Sequence, residues 1–426
     1  MSATFKLAPL KIEQYTLENG LRVILNQDNS APVVSVAVYY DVGSRNEKEG
    51  RTGFAHLFEH MMFQGSENVK KSEHFQYISN AGGTMNGTTS SERTNYYEAL
   101  PANQLPLALW LESDRMLSLA VTTENLDNQR NAVQEEKRLN YDNRPYGQVG
   151  VLLDEMIFKN FANAHSTIGS MADLDDASVE DVQNFFRVYY APNNAVLTIS
   201  GAFEAEEAKE LVHQYFAEIP KQPAPPAIDV NEPPEVAETY KKYEDKLAPF
   251  PAFLFGWKIP PRNTTEFKAL ELAGRLLNNG ESSRLYQKLV KGDESVLQIF
   301  GGADERRGPS SYIIYVIPKP GVDVSKIRDI IMGEVKDMAT SGPTAIEIQK
   351  LHNQLINSAV RSRQSSLSRA QQLAEFALYD GDPTLINSEL DEFLKITPDQ
   401  IKNAVNKYLN TDNRALLDVV PAAEKG

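Results

Sequence analysis

The sequence contains a ten-residue stretch, His56-Leu57-Phe58-Glu59-His60-Met61-Met62-Phe63-Gln64-Gly65, that predicts one apolar helix with three polar residues on a single face. His56 and His60 are four residues apart, so on a helix their rings lie one turn above the other. Two imidazoles at this spacing can hold one metal ion, although such a pair can also pack in a core or face solvent. Glu59 shares the same face and can reach a water molecule near the metal.

The composition indicates a globular chain with more than one domain. Its 426 residues exceed the size of one ordinary core. There is no cysteine, so any zinc would be held by histidine and carboxylate rather than by thiolate. The net charge of −15 disfavours nucleic acid as a partner, and no apolar run is long enough to predict a membrane span. Met1 to Lys6 lack the core of a secretion signal. The sequence leaves the compartment open: cytoplasm as it stands, or periplasm if a leader was removed.

The chain repeats itself on either side of a proline-rich segment at residues 219–235, which is typical of a semi-rigid linker. Ser178 and Thr397, separated by 219 positions, each begin a predicted helix with a capping side chain three residues on, and a strand follows each helix. The sequence therefore predicts an α+β fold of two related domains, each a mostly antiparallel sheet packed with helices. Residues 1–218 carry the histidine motif, and residues 236–426 form a related non-catalytic domain.

The motif helix has a counterpart in the second half, but the chemistry of the motif does not. The counterpart is the helix predicted over 270–280, at an offset of 215. There Glu271 stands in place of His56, Gly274 in place of Glu59 and Arg275 in place of His60. Only the first half is therefore expected to bind metal.

A third metal ligand is expected to be a carboxylate, because catalytic zinc usually takes three protein ligands and keeps one position open. The amphipathic helix predicted over 124–141 offers two adjacent candidates, Glu135 and Glu136. Spacing alone does not choose between them, and either could belong to a solvated helix face.

Four segments together resemble the pitrilysin-type zinc metalloendopeptidases, which carry the inverted H-x-x-E-H motif. These segments are Leu17-Glu18-Asn19-Gly20-Leu21-Arg22-Val23, the motif itself, Gly82-Gly83-Thr84-Met85-Asn86-Gly87-Thr88-Thr89-Ser90, and Tyr189-Tyr190-Ala191-Pro192-Asn193-Asn194. The likeness spans nearly the whole chain and is to half-length bacterial members and the beta subunit of mitochondrial processing peptidase. It implies an endopeptidase that encloses its substrate in a clamshell, with one Zn²⁺ per chain held by His56, His60 and Glu136, and Glu59 as general base.

The resemblance also assigns residues around the metal ligands. Glu135 is the neighbour of the third ligand, and Gln129 stands where many family members have a second glutamate that supports the site. The polar stretch Thr84, Met85, Asn86, Gly87 and Thr88 is expected to be an edge strand to which the substrate peptide adds by backbone pairing. A plain surface hairpin is the alternative for this stretch.

Half-length members of the resembled family pair two chains, and the facing domain supplies an Arg and, seven residues later, a Tyr. An alignment with the family puts Val290 and Leu297 at those positions. Arg284 and Tyr286 are only two residues apart and are expected in the helix after Gly280, although a shifted alignment would make them the candidates instead. With Val290 and Leu297 at those positions, the alignment predicts a heterodimer with a related subunit that lacks the zinc motif and supplies the Arg/Tyr pair, with a homodimer as the alternative. A non-catalytic structural or assembly subunit of the same fold is the alternative to the peptidase.

Overall fold

The computed structural model describes residues 6–233 and 237–422, so Pro234 and Glu235 of the predicted linker lie outside the described residues. The strands are β1 Glu13–Thr16, β2 Arg22–Gln27, β3 Val33–Tyr40, β4 Thr84–Thr89, β5 Thr94–Pro101, β6 Ala195–Gly201, β7 Thr239–Asp245, β8 Ala252–Ile259, β9 Val296–Asp304, β10 Ser310–Pro318 and β11 Ala415–Pro421. The α-helices are α1 Phe54–Met61, α2 Glu73–Asn80, α3 Leu105–Ser118, α4 Thr123–Lys137, α5 Val149–Ile157, α6 Phe161–Ala164, α7 Met171–Asp175, α8 Val179–Tyr189, α9 Ala205–Phe216, α10 Thr265–Leu277, α11 Val324–Ser341, α12 Ala345–Gln364, α13 Ser366–Tyr379, α14 Glu389–Leu394 and α15 Pro398–Tyr408. Turns of π-helix cover Arg138–Asp142 and Tyr286–Gly292. In the described part of the chain, no helix combines the length and apolarity needed to cross a bilayer.

The chain forms two compact units that exchange segments. The first unit contains the chain up to Glu135, Ser166–Ile228 and Ile356–Leu390, and the second contains Glu136–His165, Asp229–Leu355 and the chain from Asp391. These units differ from the predicted ranges 1–218 and 236–426. The reason is that each sheet is covered on one face by a helix from the other half of the sequence: α13 packs on β3 and β6, and α5 packs on β8 and β11.

The sheet of the first unit has the strand order β1-β2-β6-β3-β5-β4, in which only β2 and β6 run parallel. Strand β3 lies between β6 and β5 and is buried from Val34 to Tyr40. Because α3 and α13 both pack on it, its residues are apolar on both faces, with Ser35 as the exception, rather than alternating between apolar and polar. Strand β4 is the edge strand, as the sequence predicts.

The sheet of the second unit repeats this order as β7-β11-β8-β10-β9, and again one pair, β7 and β11, is parallel. Each strand occupies the place of one strand in the first sheet, with β9 in the place of the edge strand β4. The first sheet has one additional strand, β1. The predicted α+β fold of two related sheets packed with helices is therefore confirmed, and the duplication appears as a shared topology.

Local signals in the sequence set several helix boundaries. Ser178 and Thr397 accept hydrogen bonds from the backbone N–H groups of Asp181 and Gln400, whose side chains bond back to the two cap residues, as the capping boxes predict. The motif helix, however, ends at Met61 rather than continuing to Gly65. After Met62 the backbone hydrogen bonds join residues three apart instead of four. Gly65 then adopts a φ of +104°, which reverses the chain.

Candidate metal centre

The start of helix α1 is fixed by a buried carboxylate. Glu47 accepts hydrogen bonds from the backbone N–H groups of Gly53, at 2.9 Å, and Ala55, at 2.8 Å. An anion at this position satisfies backbone donors that have no partner within the helix and complements the helix dipole. Gly53 has a φ of +84°, and a Cβ there would lie 2.8 Å from the carbonyl oxygen of Ile168. The first turn of the motif helix is therefore held in one position.

The apolar face of α1 orients its polar face. Phe58 is buried and packs against the rings of Tyr190 and Phe186, with centroid distances of 4.3 and 5.7 Å. Burial of this face leaves the two histidines of the motif half-buried on the other face, with ring centroids 4.8 Å apart. The packing of the apolar side chains thus selects which side of the helix presents imidazole.

Helix α4 is tied to the segment that follows α1. The side-chain amide of Asn125 donates to the carbonyl oxygens of Ala120, at 2.9 Å, and Gln64, at 3.3 Å. Arg130 donates to the carbonyl oxygens of Leu174 and Ala177, at 2.8 and 2.6 Å. These bonds fix the direction of the helix. The division between the two compact units falls after residue 135, inside this one continuous helix.

The structure brings three of the predicted ligands together. His56, His60 and Glu136 each offer one ligand atom, and these atoms lie within 4.8 Å of one another. Glu136 is half-buried, whereas Glu135 is exposed and stands outside the group. Two imidazoles and one carboxylate form a donor set suited to Zn²⁺ with one coordination position left open. The arrangement therefore distinguishes the two adjacent glutamates, which spacing alone could not do.

Glu59 is connected to the edge strand by a contact that the sequence analysis did not predict. The hydroxyl of Thr89, at the end of β4, donates to Oε2 of Glu59 at 2.6 Å. This contact needs a close approach of helix and strand, and a Cβ at Gly87 would lie 3.2 Å from Cγ of Glu59 and 3.1 Å from the ring of Tyr96. No local pattern reveals the contact, because Thr89 and Glu59 belong to separate elements.

The edge strand directs alternate backbone N–H groups outward. The N–H of Ser90 donates to the carbonyl of Arg93 at 2.9 Å, which sets the phase of the antiparallel β4–β5 pair. By alternation, the N–H groups of Thr84, Asn86 and Thr88 face β5, and those of Met85, Gly87 and Thr89 face the open edge. Consistent with this, the N–H of Gly87 donates to the side chain of Asn86 and not to β5.

Gln129 lies two turns before Glu136 on the same helix. It is buried, and its amide nitrogen donates to Oδ1 of Asn128 at 2.7 Å. Its predicted role in supporting the metal ligands, and that of the exposed Glu135, stay predictions.

A second group of histidine and carboxylate side chains lies buried in the first unit. His74, Glu98 and Glu112 also place ligand atoms within 4.8 Å of one another. Here, however, Glu112 accepts from both Nε and Nη2 of the buried Arg115. Burial raises the pKa of the Glu98 carboxyl well above its usual value and lowers the pKa of His74. A guanidinium already supplies the positive charge in this group, so it does not match a cation site as the first group does.

Comparison with known proteins identifies the family of this chain. Residues 22–169 match the family described as Insulinase (Peptidase family M16), and residues 176–355 match the Peptidase M16 inactive domain. The chain belongs to the M16 peptidase family. The pitrilysin-type resemblance is thereby confirmed, and the inactive-domain match includes helix α10, the counterpart of the motif helix that carries no histidine.

Individual relatives span this M16 chain from end to end. Zinc protease PqqE from Helicobacter pylori is 27% identical over 402 residues, which cover 93% of this chain and 90% of that protein. The crystal structure of a protease from Helicobacter pylori superposes with a TM-score of 0.93 at 25% identity, covering 97% of this chain and 100% of that one. The periplasmic protease PqqL from Escherichia coli superposes with a TM-score of 0.78 at 17% identity, over 97% of this chain but 48% of PqqL.

Thr89→Val tests whether the Thr89 hydroxyl positions Glu59 in this M16 chain. The substitution keeps the shape of the side chain and removes the donor to the carboxylate. We expect kcat for a quenched fluorogenic peptide to fall by about tenfold, since a hydrogen bond to a charged group contributes roughly 1.5 kcal/mol or more. Zinc content and KM should change little. Thr239→Val, the same substitution at an exposed strand residue of the second unit, is the matched control. An unchanged kcat in a folded Thr89→Val protein would contradict the positioning role.

Proposed function

We propose that this chain is a zinc-dependent endopeptidase. The proposal rests on the meeting of His56, His60 and Glu136, with Glu59 on the same helix face and tied to the edge strand. These three ligands would hold one Zn²⁺ per chain. When bound, the ion polarises the scissile carbonyl and makes a nearby water more acidic. The names of relatives such as the zinc protease PqqE support the metal and the reaction class.

The chain's own residues then account for the movement of the proton. Glu59 accepts a proton from the attacking water and delivers it to the nitrogen of the leaving amine. The Thr89 hydroxyl donates a hydrogen bond to the Glu59 carboxylate and holds it in place. The Glu59 side chain therefore gives up less conformational freedom when the peptide binds. The water oxygen bonds to the carbonyl carbon, and the carbon–nitrogen bond then breaks as its nitrogen takes the proton from Glu59. The products are one peptide with a new carboxylate and one with a new amine, without a covalent enzyme intermediate.

We also propose that the substrate binds as an extended strand on the open edge of β4. The outward N–H groups of Met85, Gly87 and Thr89, and the carbonyls between them, suit backbone pairing with a peptide. Such pairing requires a segment that is unfolded, and it depends little on which side chains the segment carries. The proposed substrates are therefore peptides or unfolded stretches of protein.

The competing reading is a non-catalytic structural or assembly subunit of the same fold. In such a subunit, one or more of the metal ligands and the base would be replaced or would lie apart. Instead the two histidines, the third carboxylate and Glu59 are all present, and the three ligands converge. The observations therefore favour the peptidase.

A partner chain is proposed to complete the active site in a clamshell chamber. Val290 lies in the π-helical turn and Leu297 on β9, where the side chain is 40% exposed. Neither can donate a side-chain hydrogen bond to a substrate, so a homodimer would lack the Arg/Tyr pair at both sites. That PqqL is about twice as long as the matched region supports a second, related half. We propose a heterodimer in which this chain is the zinc-bearing half.

Ligand and base variants should separate metal binding from turnover. Replacing His56, His60 or Glu136 with Ala should lower zinc content from about one per chain toward zero, because three protein ligands are needed. Glu59→Gln should retain zinc and lower turnover by about 10²- to 10⁴-fold. Elemental analysis and peptide cleavage are the measurements, and His213→Ala, at an exposed helical histidine, is the control. Full zinc occupancy in His60→Ala would refute the assignment.

Met85→Pro should weaken peptide binding without emptying the metal site. Proline removes an N–H that faces the open edge and leaves the bonds to β5 in place. We expect affinity, measured in a Glu59→Gln background, to fall by about fivefold, the equivalent of one hydrogen bond. Met85→Ala, which keeps the N–H, should bind peptide as before. If Met85→Pro and the parent protein bind a peptide equally well, the peptide occupies another surface.

The heterodimer proposal predicts low turnover by the purified chain alone and a gain on adding a related M16 chain that carries the Arg/Tyr pair. Installing the pair in this chain, with Val290→Arg and Leu297→Tyr together, should also raise turnover of the isolated protein, since hydrogen-bond donors would return to the clamp positions. Full turnover by the unmodified chain, unaffected by either change, would overturn the proposal.

A further inference from the structure

The second unit contains a cavity of about 1000 Å³ that holds none of the proposed metal ligands, although Leu297, one of the two clamp positions, is among its lining residues. All of its lining residues belong to this unit, and its floor is the face of β9 and β10 beside helix α5. The cavity arises because the helix that covers the sheet differs in length between the two units. In the first unit the 14-residue helix α13 packs on β3, β5 and β6, whereas the 9-residue α5 packs on β8 and β11. The shorter helix leaves a recess over the counterparts of β5 and β4. This volume is at the upper end of the range for small-molecule sites.

The walls of the cavity are mostly apolar and aromatic. The ring of Tyr315 contacts the ring of Phe300, with centroids 4.6 Å apart, and that of Tyr146, at 6.2 Å in an edge-on arrangement. Phe300 is 49% exposed and Leu297 is 40% exposed, so large apolar side chains face the open cavity. Apolar and aromatic side chains that line one recess together are typical of a ligand site.

One wall residue is held in a conformation that the surrounding structure must enforce. Tyr146 has a φ of +61°, in the left-handed region that non-glycine residues rarely occupy. Its N–H donates to Oδ2 of Asp245 at 2.8 Å, and its hydroxyl donates to the carbonyl of Phe250 at 2.8 Å. Residues fixed in this way concentrate at ligand contacts. The loop thus places the Tyr146 ring at the cavity wall.

Among the described residues, the charged side chains that line the cavity are in ion pairs, except for one arginine. Asp154 and Asp304 both pair with the same guanidinium, that of Arg306, at 3.1 and 2.7 Å. Arg144 also lines the cavity, is exposed, and stands in no ion pair within residues 6–233 and 237–422. An apolar recess with one available guanidinium complements an amphiphile that carries a carboxylate.

We infer that this cavity binds an apolar chain or ring that ends in a carboxylate, with the apolar part against Phe300 and Tyr315 and the carboxylate at Arg144. Two sources share this chemistry: a free fatty acid, and the C-terminal apolar residue of a peptide. The inference goes beyond the proposed peptidase activity, because no residue of the cavity is a proposed metal ligand or the proposed base. Its test measures binding without cleavage, so its outcome is separate from that of the peptidase proposal.

The test uses the full chain carrying Glu59→Gln, so that no peptide is cleaved, and measures binding by titration calorimetry. The probes are dodecanoate below its micelle concentration, dodecanol, a short peptide ending in a free Phe carboxylate, and the same peptide with a C-terminal amide. We expect one site per chain for at least one of the two carboxylates, and weaker binding of its uncharged counterpart. Binding of dodecanoate alone would identify a fatty-acid site, and binding of the peptide acid alone a C-terminus site.

Two substitutions in exposed positions locate the site without threatening the fold. Arg144→Gln should weaken binding of the carboxylate by about fivefold, and Phe300→Ser by about tenfold, through loss of charge and of apolar contact respectively. Arg361→Gln, at an exposed arginine of α12 in the first unit, is the matched control and should change nothing. The inference is overturned if neither carboxylate binds, if the uncharged probes bind equally well, or if binding is unchanged in both Arg144→Gln and Phe300→Ser.

Discussion

Helix α1 can lie against strand β4 because residue 87 has no side chain. A Cβ at Gly87 would lie 3.2 Å from the Glu59 side chain and 3.1 Å from the Tyr96 ring, so one of them would have to shift by a few tenths of an ångström. If the helix moved outward, Glu59 would lose its bond from Thr89, and the two histidines would move with the same helix. The metal ligands, the base and the substrate edge are thus linked by a single close approach of helix to sheet.

In the second half of the chain a helix also packs closely on the sheet, but the glycine at the contact belongs to the helix. In helix α10 the position of Glu59 is taken by Gly274, where a Cβ would lie 3.3 Å from the ring of Tyr312. Here the helix supplies the glycine, so it has no side chain with which to do acid–base chemistry. The positions of the two histidines hold Glu271 and Arg275, which pair with each other one turn apart at 2.9 Å. The shared fold is therefore compatible with a reactive and an unreactive version of the same helix.

The features that could be predicted from the sequence depend on residues close together in the chain. Examples are the one-turn spacing of His56 and His60, the capping boxes at Ser178 and Thr397, and the repeated order of elements. The bond from Thr89 to Glu59 and the choice of Glu136 over Glu135 depend on how separate elements pack, which local pattern does not encode. The early end of α1 reflects the turn at Gly65, which an apolar run by itself does not indicate. The family resemblance supplied Glu136, and the converging ligand atoms now give it a geometric basis.

The exchange of segments between the compact units has a consequence for how the chain can be divided. The polypeptide passes between the units five times, so the proline-rich segment is only one of several connections. A gene cut there would give an N-terminal fragment without α13, which covers the buried strands β3 and β6, and a C-terminal fragment without α5. Each fragment would expose apolar sheet surface and would carry the helix that the other requires. The two halves of the polypeptide are thus obligate complements that should associate when expressed together, and neither is a domain that folds by itself.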